Sequence, residues 1–254
     1  MISIHTSEGV GKMKHKKTKL PEPDNSNRIL LSSQRILLSG VKNARELGGY
    51  RNTDNKRIRQ GSLIRSGSLH AATTEDKRLL SEQLCVRTVI DFRTPRETAE
   101  KPDPVFGARY YNLPVLDRIE EYGTPGLYMK MLSGDSGKKA YKRFFELLLD
   151  CGSKQAVLFH SDRGNDRAGV AAALLLTVLG IPEDIVTDDY LLSNKAYERE
   201  EPADIPLSPA IHAHSLIYAF TTVKVEYGSV KNYIKNEIGL TDQAIDELKR
   251  KYLV

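Results

Sequence analysis

Between the apolar run at 156–159 and the Ala/Leu-rich run at 168–181 lies one short polar segment, His160-Ser161-Asp162-Arg163-Gly164-Asn165-Asp166-Arg167. Arginine offers a planar fork that matches two oxygens of a phosphate. Glycine lets a backbone approach closely, and successive amides of a tight loop form a concave nest for an anion. If a strand precedes the segment and a helix follows it, the helix N-terminus adds partial positive charge. The chemistry this suggests is capture of a phosphate-sized dianion by the residues Ser161, Asp162, Arg163, Gly164, Asn165, Asp166 and Arg167. Other phosphate loops fit less well. Gly164 and Gly169 have the spacing of a nucleotide loop, but Val170 stands where its lysine is required. A serine-hydrolase elbow fails because Phe159 and Arg163 occupy its two glycine positions.

The flanking sequence supplies the elements such a loop needs. "VRTVIDF" (86–92) is a β-branched run of strand length, and "AVLF" (156–159) is an apolar strand of the fully buried type. "TTEDKRLLSEQL" (73–84) carries a capping pattern at Thr73 and Asp76. "KKAYKRFFELLLD" (138–150) is amphipathic, "EDIVTDDYLLSNKAYE" (183–198) reads as a helix after Pro182, and Thr241 opens a C-terminal helix. Strands alternating with helices predict an α/β fold, a mostly parallel sheet flanked by helices with a helical C-terminal region. The repeated "RILLS" at 28–32 and 35–39 predicts a hairpin or two short strands, and 41–69 is loop-rich.

The chain has 254 residues, with 40% hydrophobic and 28% charged, which are globular values and predict one large domain over 28–254. Residues 1–27 are polar and Lys-rich and read as a flexible basic tail. The first 28 residues carry a net +3 of the whole chain's +5, so the basic character is that of a tail, and no nucleic-acid partner is expected. Cys85 and Cys151 lie near apolar stretches and read as buried free thiols of a reducing compartment. The first residues lack a sustained apolar core, and the run at 168–181 is too short to span a bilayer. The expectation is a cytoplasmic protein without an integral membrane segment.

His160, Ser161, five residues and Arg167 have the spacing His-Cys-x5-Arg of the cysteine-dependent protein tyrosine phosphatases, with serine in the place of cysteine. "NARELGGY" (43–50), "GSLIRSGSL" (61–69), "RTVIDFRTPRE" (87–97) and "DDYLLSN" (188–194) are similar, in order, to blocks of the bacterial and fungal branch, whose loops commonly read His-Cys-x-x-Gly-Lys-Asp-Arg-Thr-Gly. The resemblance covers most of residues 36–200. It implies the tyrosine-phosphatase fold and hydrolysis of phosphate monoesters through a phospho-enzyme, with no cofactor. The implied partners are a phosphorylated protein or a phosphorylated small molecule or lipid, with phosphotyrosine, phosphoserine/threonine and phosphoinositide as substrate classes.

The departures concern the loop itself. Ser161 stands at the nucleophile, Ala168 replaces the hydroxyl residue that assists departure of the thiolate, Asn165 replaces a lysine, and Asp162 adds a negative charge. A free thiol has a pKa of about 8.5, which a helix N-terminus and cations lower to roughly 3.5–7.5. A serine hydroxyl is far too weak an acid for that field and needs a positioned base. His160 is adjacent, but successive side chains at a strand end point to opposite sides, so it reads as support for the loop. For the acid that protonates the leaving oxygen, Asp91 is the first candidate, because it interrupts an apolar strand near the same sheet edge, the alternative being that it only pairs with Arg93 or Arg167. Asp166 is the rival, as acid or as a residue that orients the loop. The catalytic set is thus Ser161, Arg167, Asp91 and Asp166. Arg45 and Arg65 meet the substrate or make structural pairs, Tyr128 and Met129 line a substrate pocket or, the commoner fate, form a core face, and His212 with His214 is too sparse for a metal. Two functions stay in view: a family enzyme with its nucleophile exchanged for serine, expected to bind substrate with little turnover, and a natural pseudophosphatase that binds phosphorylated ligands.

Overall fold

A computed structural model describes residues 34–104, 106–118, 124–152, 154–198 and 213–254. Its centre is β5 (Ala156–His160), whose five residues are all buried, as a strand covered on both faces must be. β5 lies between β2 (Leu63–Ser66) and β3 (Val86–Asp91), parallel to both. β4 (Arg109–Asn112) extends the sheet parallel to β3, and β1 (Arg45–Glu46) closes the other edge antiparallel to β2, giving the order β1-β2-β5-β3-β4. Side chains of β5 alternate between two cores: Val157 and Phe159 join the larger one, Ala156 and Leu158 the smaller.

Helices cover both faces. The smaller core is closed by α1 (Thr74–Arg78), which begins with the expected Thr73–Asp76 capping box and runs into a π-helical turn, Leu79–Gln83. After β3 comes α2 (Pro95–Glu100), with a second capping box between Thr94 and Glu97. The larger core takes α3 (Pro125–Ser133), α4 (Asp135–Asp150) and α5 (Arg167–Leu179). α5 is buried at every position but Thr177, which is why its sequence is apolar all round and shows no stripe. Gly180, at φ 81°, ends it in a left-handed turn. The remaining helices are α6 (Glu183–Glu198), α7 (Ala213–Tyr227), α8 (Val230–Asn236) and α9 (Asp242–Tyr252), the last capped by Thr241 as its sequence predicts. The fold is thus α/β, a mostly parallel sheet flanked by helices. Among the described residues no helix is long and apolar enough to cross a membrane.

Several expectations fall differently. The tail 1–27 and the first "RILLS" copy lie outside the described residues, and the second copy makes one antiparallel bridge, Arg35 to Arg45. Cys85 is exposed, in a left-handed turn at φ 51° before β3; only Cys151 is buried. Register is what matters for function. Ser66 and Asp91 both pair with His160, so the loops leaving β2, β3 and β5 emerge side by side at one sheet edge.

Candidate active site

At that edge the chain leaves β5 through Ser161, turns through 162–166, and enters α5 at Arg167. The turn depends on Gly164, which sits at φ 70° with its Cα packed on β2. A Cβ there would lie 2.4 Å from the Ser66 carbonyl oxygen. Asp166 is the N-cap of α5, yet its side chain makes no capping bond to the first-turn amides. The positive end of a 13-residue helix therefore faces the loop without a carboxylate capping it.

The carbonyls of the loop are held from outside. The Ser68 amide donates to Asp162 O at 2.9 Å, Asn43 Nδ2 to Arg163 O at 3.1 Å, and Arg65 Nη2 to Gly164 O at 2.8 Å. In a trans peptide the N–H points opposite to the C=O it follows. Drawing these three carbonyls outward turns the amides of Arg163, Gly164 and Asn165 to the inner side, which makes a nest.

The residues that do this come from three distant blocks. Arg65 Nη1 bonds Asp189 Oδ2 at 2.7 Å, Arg45 Nε bonds Asp189 Oδ1 at 3.1 Å, and Tyr50 Oη reaches the same oxygen at 3.1 Å. Asn43 Nδ2 also touches Asn165 Oδ1 at 3.0 Å and Ser193 Oγ at 3.2 Å, so the Asn165 side chain belongs to this outer clamp. Two guanidiniums against one carboxylate leave net positive charge behind the loop. Burial and the neighbouring Arg45 pull Arg65 down to about 10, so it stays cationic at neutral pH.

Arg167 lies at the first position of α5, its side chain 4% exposed. Glu97 grips it bidentately, Nη1 to Oε2 at 2.6 Å and Nη2 to Oε1 at 2.9 Å. The Thr94 amide and hydroxyl fix Glu97 in turn, at 2.8 and 2.9 Å. Burial pushes Glu97 up, but Arg167 and Thr94 outweigh it and hold the carboxyl below its ordinary range. The fork is thus oriented before any anion arrives.

His160, itself fully buried, turns away from the loop's inner side into a cluster of charged groups, its Nε2 2.9 Å from Asp103 Oδ2. Asp91 belongs to the same cluster. Arg93 reaches it with Nε at 3.0 Å from both oxygens and Nη2 at 2.7 Å, and the Tyr110 hydroxyl donates to Oδ2 at 2.6 Å. Burial raises the Asp91 carboxyl, yet His160, Arg93 and Tyr110 together hold it below its ordinary range. Both oxygens of this buried carboxylate are engaged, Oδ1 by Arg93 and Oδ2 by Arg93 and Tyr110, which is the arrangement of an ion pair with Arg93. Asp91, Asp103 and His160 also present atoms within 4.8 Å of one another, the donor set of a metal site. Arg93 Nη2, 2.7 and 2.9 Å from the two carboxylates, supplies positive charge at that place. His214 is exposed on α7, and His212 lies outside the described residues.

Asp166 differs from Asp91 in its place and in the direction of its shift. It sits in the loop itself, and burial raises its carboxyl above the ordinary range against the pull of Tyr128, Arg167 and Arg163. Tyr128 of α3 donates a hydroxyl to Oδ1. Tyr128 is therefore part of the site as well as of the core, while Met129 packs at the core's edge. Ser161 is 2% exposed at the base of the loop, and among the described residues no base is hydrogen-bonded to its Oγ. Cys151 lies at the other end of β5, beside Thr88. Sequence reasoning passed over Glu97, Asp189, Asn43 and Ser193 as site residues, although each lies in a block it had singled out.

The opposed carboxylates give a pH dependence of known sign. Asp91, Glu97 and Asp189 are held below their ordinary values of 3.8 and 4.5, so the unfolded chain takes up their protons first as pH falls. Their stabilisation is complete above those values and is lost as pH drops through them. Asp166, raised, works oppositely, costing stability as pH rises above 3.8. Among the described residues six carboxyls are held down, these three with Asp76, Glu237 and Asp242, against two raised, Asp166 and Glu46. The urea midpoint is therefore expected to fall steadily below about pH 4.5. A midpoint that rises on acidification contradicts these pairings.

Fold and site together define an α/β protein with a tight, externally anchored loop at the carboxyl edge of a mostly parallel sheet, followed by a helix N-terminus and an arginine held by Glu97. The chain belongs to the tyrosine phosphatase family, whose sequence model matches residues 36–254. A Cupriavidus necator protein assigned to the tyrosine-protein phosphatases is 28% identical over 240 residues, covering 84% of this chain and 86% of that one. The tyrosine-protein phosphatase of Nostoc commune is 28% identical over 221 residues, covering 74% and 73%. Among solved structures, the core catalytic domain of the PP-IP phosphatase SIW14 of S. cerevisiae covers 80% of this chain and 94% of its own, at 13% identity and a TM-score of 0.43.

Proposed function

We propose that the loop 161–167 binds the phosphate group of phosphate monoesters, that the site is built for their hydrolysis through a phospho-enzyme, and that Ser161 leaves the chain a binder with little turnover. The observation that carries this reading is the outward anchoring of three consecutive carbonyls, which presents three amides and the α5 N-terminus to one anion. Arg167, held flat by Glu97, adds a fork to the same anion.

In the reaction the group at 161 attacks phosphorus in line, the P–O bond to the leaving group breaks with its electron pair on oxygen, and that oxygen takes a proton. Asp166 fits the donor, because burial favours its protonated form. Water then attacks phosphorus as Asp166 takes its proton, the bond to the group at 161 breaks with its electron pair on that group, and inorganic phosphate leaves. A thiolate at 161 would be stabilised by the same amides that bind phosphate. Among the described residues no base is bonded to the serine hydroxyl, and this supports the low turnover.

Phosphorylated proteins, small molecules and lipids all offer the dianion this loop fits. One observation favours the second reading, a natural module for phosphorylated ligands: the Asn165 side chain is bonded into the clamp through Asn43. The residues 1–27 remain a proposed flexible tail, and 28–254 the proposed phosphatase-like domain.

Arg167→Ala is expected to weaken binding of phosphate or vanadate by about 1.5–3 kcal/mol, the worth of hydrogen bonds to a charged group. Calorimetric titration of both proteins measures this. Equal affinities contradict the proposed role of the loop.

A further inference from the structure

Three groups from three helices meet beside the loop: Tyr128 of α3, Tyr190 of α6 and Asp166 at the head of α5. The Tyr128 hydroxyl lies against both Asp166 Oδ1 and the Tyr190 hydroxyl. Both tyrosines are buried, their rings edge-on with centroids 6.3 Å apart. Tyr190 is wedged against the first turn of α5, where a Cβ on Gly169 would lie 3.0 Å from its ring. A phenol has one proton and a carboxylate only accepts. All three groups are satisfied when Tyr190 donates to Tyr128 and Tyr128 donates to Asp166 Oδ1. Neither tyrosine touches Oδ2.

We propose that Tyr190 and Tyr128 are positioning residues, a hydroxyl chain that occupies Oδ1 of Asp166 and confines the catalytic proton to Oδ2. This rests on Asp166 being the acid. When the P–O bond breaks, the Oδ2 proton moves to the leaving oxygen and Asp166 becomes a carboxylate whose Oδ1 already accepts from Tyr128. The following water returns a proton to Oδ2. The chain therefore stabilises the ionised carboxylate and works against burial, so the acid is raised but remains able to give up its proton. The other groups facing it are the cations Arg163 and Arg167 on its own segment and Tyr141 from α4, with Arg65 of β2 acting on Tyr190. The two phenols are pushed above their ordinary values by burial first and by the Asp166 charge next, so both stay protonated donors throughout the range of the test.

The test needs no turnover. In the chain as it stands, the 13C resonance of the Asp166 carboxyl, assigned with Asp166→Asn, is titrated against pH. Tyr128→Phe keeps the ring and is expected to move the midpoint upward by about half to one pH unit, because the ionised form loses a donor. Tyr190→Phe is expected to move it the same way by less. Calorimetric phosphate binding shows that each variant retains its loop. A folded Tyr128→Phe protein whose Asp166 midpoint stays or falls overturns the chain. In the Ser161→Cys background the alkaline limb of the kcat profile is expected to move upward with the midpoint and to vanish in Asp166→Asn. A midpoint that moves while that limb stays fixed would instead overturn Asp166 as the acid, leaving the hydrogen-bond chain itself intact.

Discussion

Asp189→Ala is expected to cost about 3–5 kcal/mol of stability, the loss seen when one partner of a buried ion pair is removed. Asp189 is 1% exposed and is the shared acceptor of Arg45, Arg65 and Tyr50. Without it two guanidiniums face each other in the interior, neither able to reach water or lose its proton easily. Domains of this kind are stable by roughly 5–15 kcal/mol, so the loss is a large fraction of the whole. It also reaches function, because Arg65 holds the Gly164 carbonyl and Asn43, bonded to Arg45, holds that of Arg163. The variant is expected to bind phosphate more weakly even where it remains folded. Asp189→Asn, which retains an acceptor, is expected to lose less. Urea denaturation at neutral pH measures the difference. A loss below about 1 kcal/mol, the worth of an exposed pair, contradicts this account of the clamp.

What the sequence displayed and what it hid have physical reasons. The loop was legible because its chemistry is local: a buried strand, a glycine, an arginine and a helix follow within a few residues. The caps at Thr73 and Thr241 were legible for the same reason. β4 was not, because "RYYN" sits at a sheet edge with its side chains exposed or half-buried, and carries no burial alternation. Asp91 drew attention because a carboxylate in an apolar strand needs a partner. The partner proves to be Arg93, two residues on and therefore on the same side of the extended chain. That pair was visible in the sequence, but nothing local ranks it above a catalytic role. The clamp was beyond reach by periodicity, since Asn43 and Ser193 are 150 residues apart and meet only through the fold. Glu97 was hidden differently. Its capping role for α2 is a sufficient local explanation, and the grip on Arg167 appears only once β3 and β5 lie side by side.

Ser161→Cys is expected to convert the protein from a binder into a catalyst. On the proposed reading, the amides of residues 163–165, the α5 N-terminus and the clamp are expected to favour a thiolate at 161 and to leave an alcohol protonated. Serine and cysteine differ little in size, so the exchange is expected to leave the 2%-exposed site at the base of the loop in place. Activity of the variant is expected to be abolished by thiol alkylation and unaffected by a chelator. Ala168 sets its level, since no hydroxyl follows Arg167 to ease departure of the thiolate. If that residue and Asn165 are the mark of a binding module, the rate stays low until a hydroxyl residue and a lysine are restored. The most direct measurement is steady-state hydrolysis of an aryl phosphate by the chain as it stands and by Ser161→Cys, side by side. The account predicts no appreciable turnover by the first and alkylation-sensitive turnover by the second. Clear turnover by the serine protein, unchanged on substitution by cysteine, would contradict it.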